Sequence, residues 1–147
     1  MNDALSLELG RWVQHTTFEE LPPDVVEATK LRVLYVVGLA LAGAATAFGQ
    51  SVREAAIAMS PPGPCHILGT GDRVGVAMAA FANGSFSQAL EYDDTHLESI
   101  VHMSSPSVAA ALALAEFSTT VRLPPSPRLR RSADARREDG MADTTYE

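Results

Sequence analysis

One cysteine and one lysine in 147 residues narrow the chemistry before any pattern is read. A lone Cys65 excludes an internal disulfide and a cysteine-based zinc site, and it agrees with a reducing, cytoplasmic setting. It follows Pro61-Pro62-Gly63-Pro64 and sits beside His66, yet no third group orients the pair, so it reads as a small buried side chain, not a catalytic thiol. Net positive charge is lacking as well. The formal charge is −7, and because residues 118–147 hold six Arg against five acidic residues, residues 1–117 carry −8. Such a body repels a phosphate backbone, so nucleic acid is excluded as a partner. The N-terminus has no basic region followed by an apolar core, so no secretory signal is indicated. Long apolar runs are nearly missing: the one from Val33 to Gly49 spans 17 uncharged residues, the lower limit for a membrane span. With three glycines and five alanines it reads as a core helix of a bundle, and no membrane partner is expected.

What is present repeats near 3.6 residues. Leu5, Leu9, Trp12 and Val13 predict an amphipathic helix over 3–15, capped by Asn2 or Asp3, with its apolar stripe in the core and His15 compensating the helix dipole. Leu21-Pro22-Pro23-Asp24 opens a helix that runs to about Gly43. Ser51-Val52-Arg53-Glu54 has the form of a capping box, and the short helix behind it stops at Ser60-Pro61-Pro62-Gly63-Pro64. Cys65–Leu68 reads as a short extended piece and Gly69-Thr70-Gly71-Asp72 as a turn. Its glycines miss the dinucleotide fingerprint by one position. Further helices are predicted over 74–91, rich in small residues, and over 106–116. The expectation is an all-α helical bundle over residues 1–117, with 118–147 as a disordered tail, since Pro124, Pro125, Pro127 and clustered Arg leave little apolar surface to bury.

Groups that can move protons concentrate between Asn83 and Pro106. Glu91, Asp93 and Asp94 lie beside Thr95 and His96, and His102 precedes Ser104-Ser105-Pro106. Two adjacent carboxylates that are partly buried together cannot both ionise cheaply, so one holds its proton to higher pH and serves as an acid, with histidine in the complementary role. Ser104 or Ser105 is placed to cap the next helix, whose free N–H groups favour an anion. A proton-transfer site next to a carboxylate-binding site suits loss of water or carbon dioxide from a polycarboxylic acid; the competing reading is a solvated acidic turn before a capped helix. Asp93, Asp94, His96 and His102 offer metal-ligand types, but their spacing matches no compact metal motif.

The runs L-G-T-G-D-R-V, then A-A-F-A-N-G-S-F-S-Q-A-L-E-Y-D-D-T-H, then V-H and A-A-A-L-A-L-A-E resemble the MmgE/PrpD family, which includes 2-methylcitrate dehydratase and cis-aconitate decarboxylase. The similarity spans about Leu5 to Glu116. It implies part of a large helical domain carrying part of a metal-free, cofactor-free lyase site for a small di- or tricarboxylic acid. Glu91, Asp93, Thr95 and His102 match its active-site motif, with Asp94 as a further catalytic candidate and His96, Ser104 and Ser105 as substrate-binding candidates. Two departures stand out: Gln88 replaces the usual His, which removes a supporting contact, and His102-Met103 replaces His-Pro, which loosens the loop. The family continues past residue 117 with further helices, and with a histidine and a lysine of its site, whereas the only lysine here is Lys30. The alternative expectation is therefore a truncated, non-catalytic helical fragment with an unrelated tail, as from a shifted reading frame. Apolar faces over 24–43 and 106–116 would then drive homodimerisation or aggregation.

Overall fold

The computed structural model describes residues 4–92 and 94–121. Within them the chain forms α1 (Leu5–His15), a 3-10 turn (Phe18–Glu20), α2 (Pro23–Ala44), α3 (Ala47–Met59), a hairpin of β1 (Pro62–His66) and β2 (Arg73–Val74), α4 (Val76–Gln88) and α5 (Ser104–Val121). The all-α expectation holds, with the hairpin as the only sheet among the described residues.

Small side chains decide how the helices meet. α4 packs against α2, α3 and α5, and the shared core is Ala40, Val52, Ala56, Cys65, Ile67, Val74, Ala79, Ala82, Phe86 and Ala113. A Cβ on Gly43 would stand 2.0 Å from the Phe86 carbonyl oxygen, so α2 and α4 touch backbone to backbone there. Only glycine allows that approach. Cys65 is fully buried and its Sγ–H donates to the Ala113 carbonyl at 3.3 Å, consistent with a packing role. Burial pushes its thiol pKa up, away from the reactive thiolate.

Between α2 and α3 the axis turns by 92°. Thr46 makes the corner: its hydroxyl donates to the Gly43 carbonyl at 2.7 Å, closing α2, and accepts the Gly49 N–H at 3.0 Å, opening α3. The capping residue is therefore Thr46, not Ser51, which lies inside α3 and bonds back to the Ala47 carbonyl. Thr46→Ala is expected to cost about 1–2 kcal/mol, as for loss of an N-cap, and Thr46→Ser to restore most of it in urea unfolding. The uncharged run from Val33 is cut by this corner, and among the described residues no single helix is long and apolar enough to cross a membrane.

Three expectations need correction. α1 buries none of its residues: Leu5, Leu9, Trp12 and Val13 are all exposed, so its stripe is not part of the core formed by the described residues. α2 is not apolar core all round: Val36, Ala40 and Gly43 are buried while Leu31, Leu34 and Leu41 face out. α5 continues past Glu116 to Val121, so 118–121 are helical; Thr119 and Thr120 satisfy their hydroxyls on carbonyls four residues back. Residues 122–147, the rest of the expected tail, lie outside the described residues.

The hairpin is antiparallel and bulged between Pro62 and Cys65, with His66 opposite Arg73. Its turn is closed by the Ile67 N–H on the Asp72 carbonyl at 3.0 Å, with Gly69 at φ +73°. Asn83 pins the turn to α4: its Oδ1 accepts the Leu68 N–H at 2.8 Å and its Nδ2 donates to the His66 carbonyl at 3.0 Å. The asparagine that begins the chemistry-bearing stretch is thus structural.

Candidate functional site

α4 ends at Gln88, and Ala89 and Glu91 donate their N–H groups to the Phe86 and Gln88 carbonyls. Glu91 takes φ 53°, the left-handed turn that usually calls for glycine after a helix. A side chain there costs about 1–2 kcal/mol, which the local sequence does nothing to relieve. The chain then turns back, with the His96 N–H on the Val101 carbonyl at 3.0 Å, and enters α5 at Ser104.

Between these helix ends and the start of α3 lies a cleft of about 570 Å³. Its walls are Phe48, Gly84, Ser85, Gln88, Ala89, Glu91, His102 and Pro106. The cleft lining thus includes a carboxylate, an imidazole, one side-chain amide and one hydroxyl among mostly apolar surface. Thr95 Oγ1 stands 3.3 Å from His102 Nδ1 and fixes one ring nitrogen. That arrangement can bind a small polar molecule and exchange protons with it.

Of the residues singled out from the sequence, Glu91 and His102 line the cleft and Thr95 reaches it through His102. Asp93 lies outside the described residues. His96 is turned into its own loop, its Nδ1 2.8 Å from Ser99 Oγ. Asp94 faces the other way. It accepts the Ser104 N–H at 3.3 Å and the Ser104 hydroxyl at 2.6 Å, with Arg32 of α2 3.6 Å away. The expected capping is therefore reversed: the serine donates, and the anion at the α5 N-terminus is the chain's own Asp94. Ser104 and Ser105 are turned inward, 6% and 0% exposed, and Ser105 Oγ has no partner among the described residues. Among the described residues no three His, Cys, Asp or Glu side chains converge as metal ligands do.

Of the two adjacent carboxylates expected to differ in proton affinity, Asp93 lies outside the described residues, and Asp94 is one that ionises readily. The Ser104 hydroxyl, aided by the Ser104 N–H and Arg32 and opposed by burial, holds it below the usual carboxylate range. A folded-state pKa below the unfolded one gives stability that is present above the unfolded value and lost as pH falls through the folded one. Asp94→Asn is expected to be less stable than the parent at pH 7. The gap should close as pH drops from about 5 toward 3, read from urea midpoints across that range.

Sequence reasoning passed over Phe48 and Ser85, which line the cleft, and Arg32 and Tyr35 of α2. Tyr35 donates its phenol hydroxyl to the Tyr92 carbonyl, 57 residues on. Nothing in their local sequence marks them.

The chain is 33% identical over 122 residues to "Cis-aconitate decarboxylase" of Aspergillus terreus strain NIH 2624, and 34% identical over 122 residues to another Aspergillus terreus protein of that name. It is 32% identical over 112 residues to "Cis-aconitate decarboxylase-like protein oryM" of Aspergillus oryzae. These alignments cover 80%, 80% and 76% of this chain, which spans about a quarter of the length of each relative. No solved structure matches it significantly. The family model of the MmgE/PrpD N-terminal domain matches residues 7–124, which take in every described helix from α2 to α5 and the whole cleft, so the chain belongs to the MmgE/PrpD family.

Proposed function

We propose that the cleft is the N-terminal domain's share of a lyase site for a small di- or tricarboxylic acid. The observation that carries this reading is that Glu91 and His102, contributed by two different helix ends, line one cavity in a chain one-third identical to proteins named for cis-aconitate decarboxylation. In a decarboxylation the bond to one carboxyl carbon breaks, carbon dioxide leaves, and the electron pair left on carbon is quenched by a proton from a neighbouring acid. In a dehydration a base takes a proton from the carbon beside a carboxylate while an acid protonates the leaving hydroxyl. Either reaction needs one group that gives a proton and one that takes it, and a carboxylate beside an imidazole supplies the pair. Decarboxylation of cis-aconitate is the preferred assignment, with 2-methylcitrate-type dehydration as its neighbour on the same scaffold. A cytoplasmic setting and a homodimer covering the outer faces of α2 and α5 belong to this reading.

The second reading is a helical domain that does not turn over substrate by itself. It is favoured by the short span relative to the relatives and by the outward-facing Leu31, Leu34, Leu41 and Leu114. One experiment separates the two. cis-Aconitate is titrated into the protein while carbon dioxide release and backbone amide shifts are followed. Shifts confined to Ser85, Gln88, Glu91 and His102 with gas release support the lyase; the same shifts without gas support a binding domain; no shifts at the cleft remove the site assignment.

A further inference from the structure

Arg32 and Tyr35 sit three residues apart on α2, hence on one face of it, and both reach the segment that carries Glu91 to His102. Tyr35 fixes the Tyr92 carbonyl, one residue beyond the left-handed Glu91. Arg32 stands 3.6 Å from Asp94 Oδ2, and the same carboxylate ties down Ser104 at the first turn of α5, two residues beyond His102. Neither Arg32 nor Tyr35 lines the cleft. The chain between the two cleft residues is thus anchored close to each of them, and the Tyr35 and Arg32 anchors come from a helix that is not among the cleft-lining elements.

From this we infer that Arg32 and Tyr35 are positioning residues for the proposed site: α2 acts as a jig that sets the separation of Glu91 and His102. The inference rests on the cleft being a carboxylic-acid site. Physically, Glu91 occupies a backbone state that its own side chain disfavours, so something beyond residue 91 has to hold it there. The phenol on the next residue's carbonyl is placed to do so. The charge pair performs the same task at the other end, through Asp94 and Ser104, for His102. Tyr35 is 45% exposed and the Arg32 side chain 63%, and neither belongs to the buried core, so loss of the phenol hydroxyl or of the charge opens no core cavity.

The test uses the 147-residue chain and propane-1,2,3-tricarboxylate, a saturated tricarboxylate that cannot react, followed by calorimetry, with a melting curve for every variant. Tyr35→Phe keeps the ring and loses only the hydroxyl; Arg32→Gln loses the charge; Arg32→Lys keeps it. The jig predicts roughly 10-fold weaker binding for Tyr35→Phe and Arg32→Gln, near-parental binding for Arg32→Lys, and small changes in melting temperature that do not track the loss of binding. Binding that weakens only in step with melting would reduce both residues to a stability role and overturn the inference. If the parent binds, His102→Ala does not, and Tyr35→Phe and Arg32→Gln bind like the parent, the inference falls while the site survives. If the parent binds no better than His102→Ala, the site reading falls and takes the inference with it.

Discussion

Phe86→Ala is expected to lower the stability of this chain by about 3–5 kcal/mol, as for other aromatic truncations in cores. Phe86 is the largest fully buried side chain among the described residues, sits in the last turn of α4, and shares the core with Ala40, Val52, Ala56, Ile67, Val74 and Ala113 from the neighbouring elements. Alanines have no torsion with which to fill a hole, and the Gly43 contact holds α2 against the Phe86 carbonyl, so the backbone has little room to collapse. Small domains have a total stability of roughly 5–15 kcal/mol, so about a fifth or more of it rests on this ring. Phe81, on the same helix but half-exposed, is the control, expected to change stability by under about 1 kcal/mol on truncation. Urea unfolding of the two variants checks the pair.

His102→Ala should weaken tricarboxylate binding by roughly 10- to 100-fold, the worth of one charge-assisted hydrogen bond, and Glu91→Gly should change it through the lost carboxylate charge, yet the two should part company in stability. His102 lies on an exposed loop, so its loss should leave the melting temperature nearly unchanged. Glycine at 91 relieves the left-handed backbone and should raise stability by about 1 kcal/mol while removing the carboxylate. A variant that is more stable and less functional marks a residue kept in a strained state for its chemistry. If Glu91→Gly gained stability and bound the probe as the parent does, the carboxylate would have no role in the cleft. Calorimetry and melting curves on the same samples decide it.

How much of this was legible beforehand differs from element to element. The helices were, because Val36, Ala40 and Gly43, or Ala109 and Ala113, recur at helical spacing whatever covers them. The covering itself was not. The stripe of α1 shows that the helix is able to be buried, yet it stays exposed among the described residues; in α5, Leu112 is 37% exposed while the smaller Ala113 beside it takes the core position. Thr46 was missed because its hydroxyl lies inside an uncharged run where the eye sees only apolar residues, and its role depends on a corner formed by two flanking helices. Ser104 was read with the right helix and the wrong polarity of bond, since local sequence shows a hydroxyl at a helix start but not a carboxylate ten residues upstream reaching back to it. Glu91 and His102 were legible as residue types and as a resemblance; their meeting in one cleft is a tertiary fact. Tyr35 was invisible for the same reason.

The contact of Gly43 with the Phe86 carbonyl also sets an order of events in folding. α2 and α3 form a local corner, but the face of α2 that carries Val36, Ala40 and Gly43 has little to bury until α4 arrives, 43 residues later in the chain. Closing a loop of that length carries an entropic cost that grows only as the logarithm of its length, and it has to be met before the alanine-lined interface returns anything. Helix formation in α2 therefore has little tertiary burial to stabilise it until α4 docks. During synthesis α2 and α3 emerge well before Phe86, and through that interval the glycine that permits the tightest contact in the domain is an unprotected weak point in the helix that bears it.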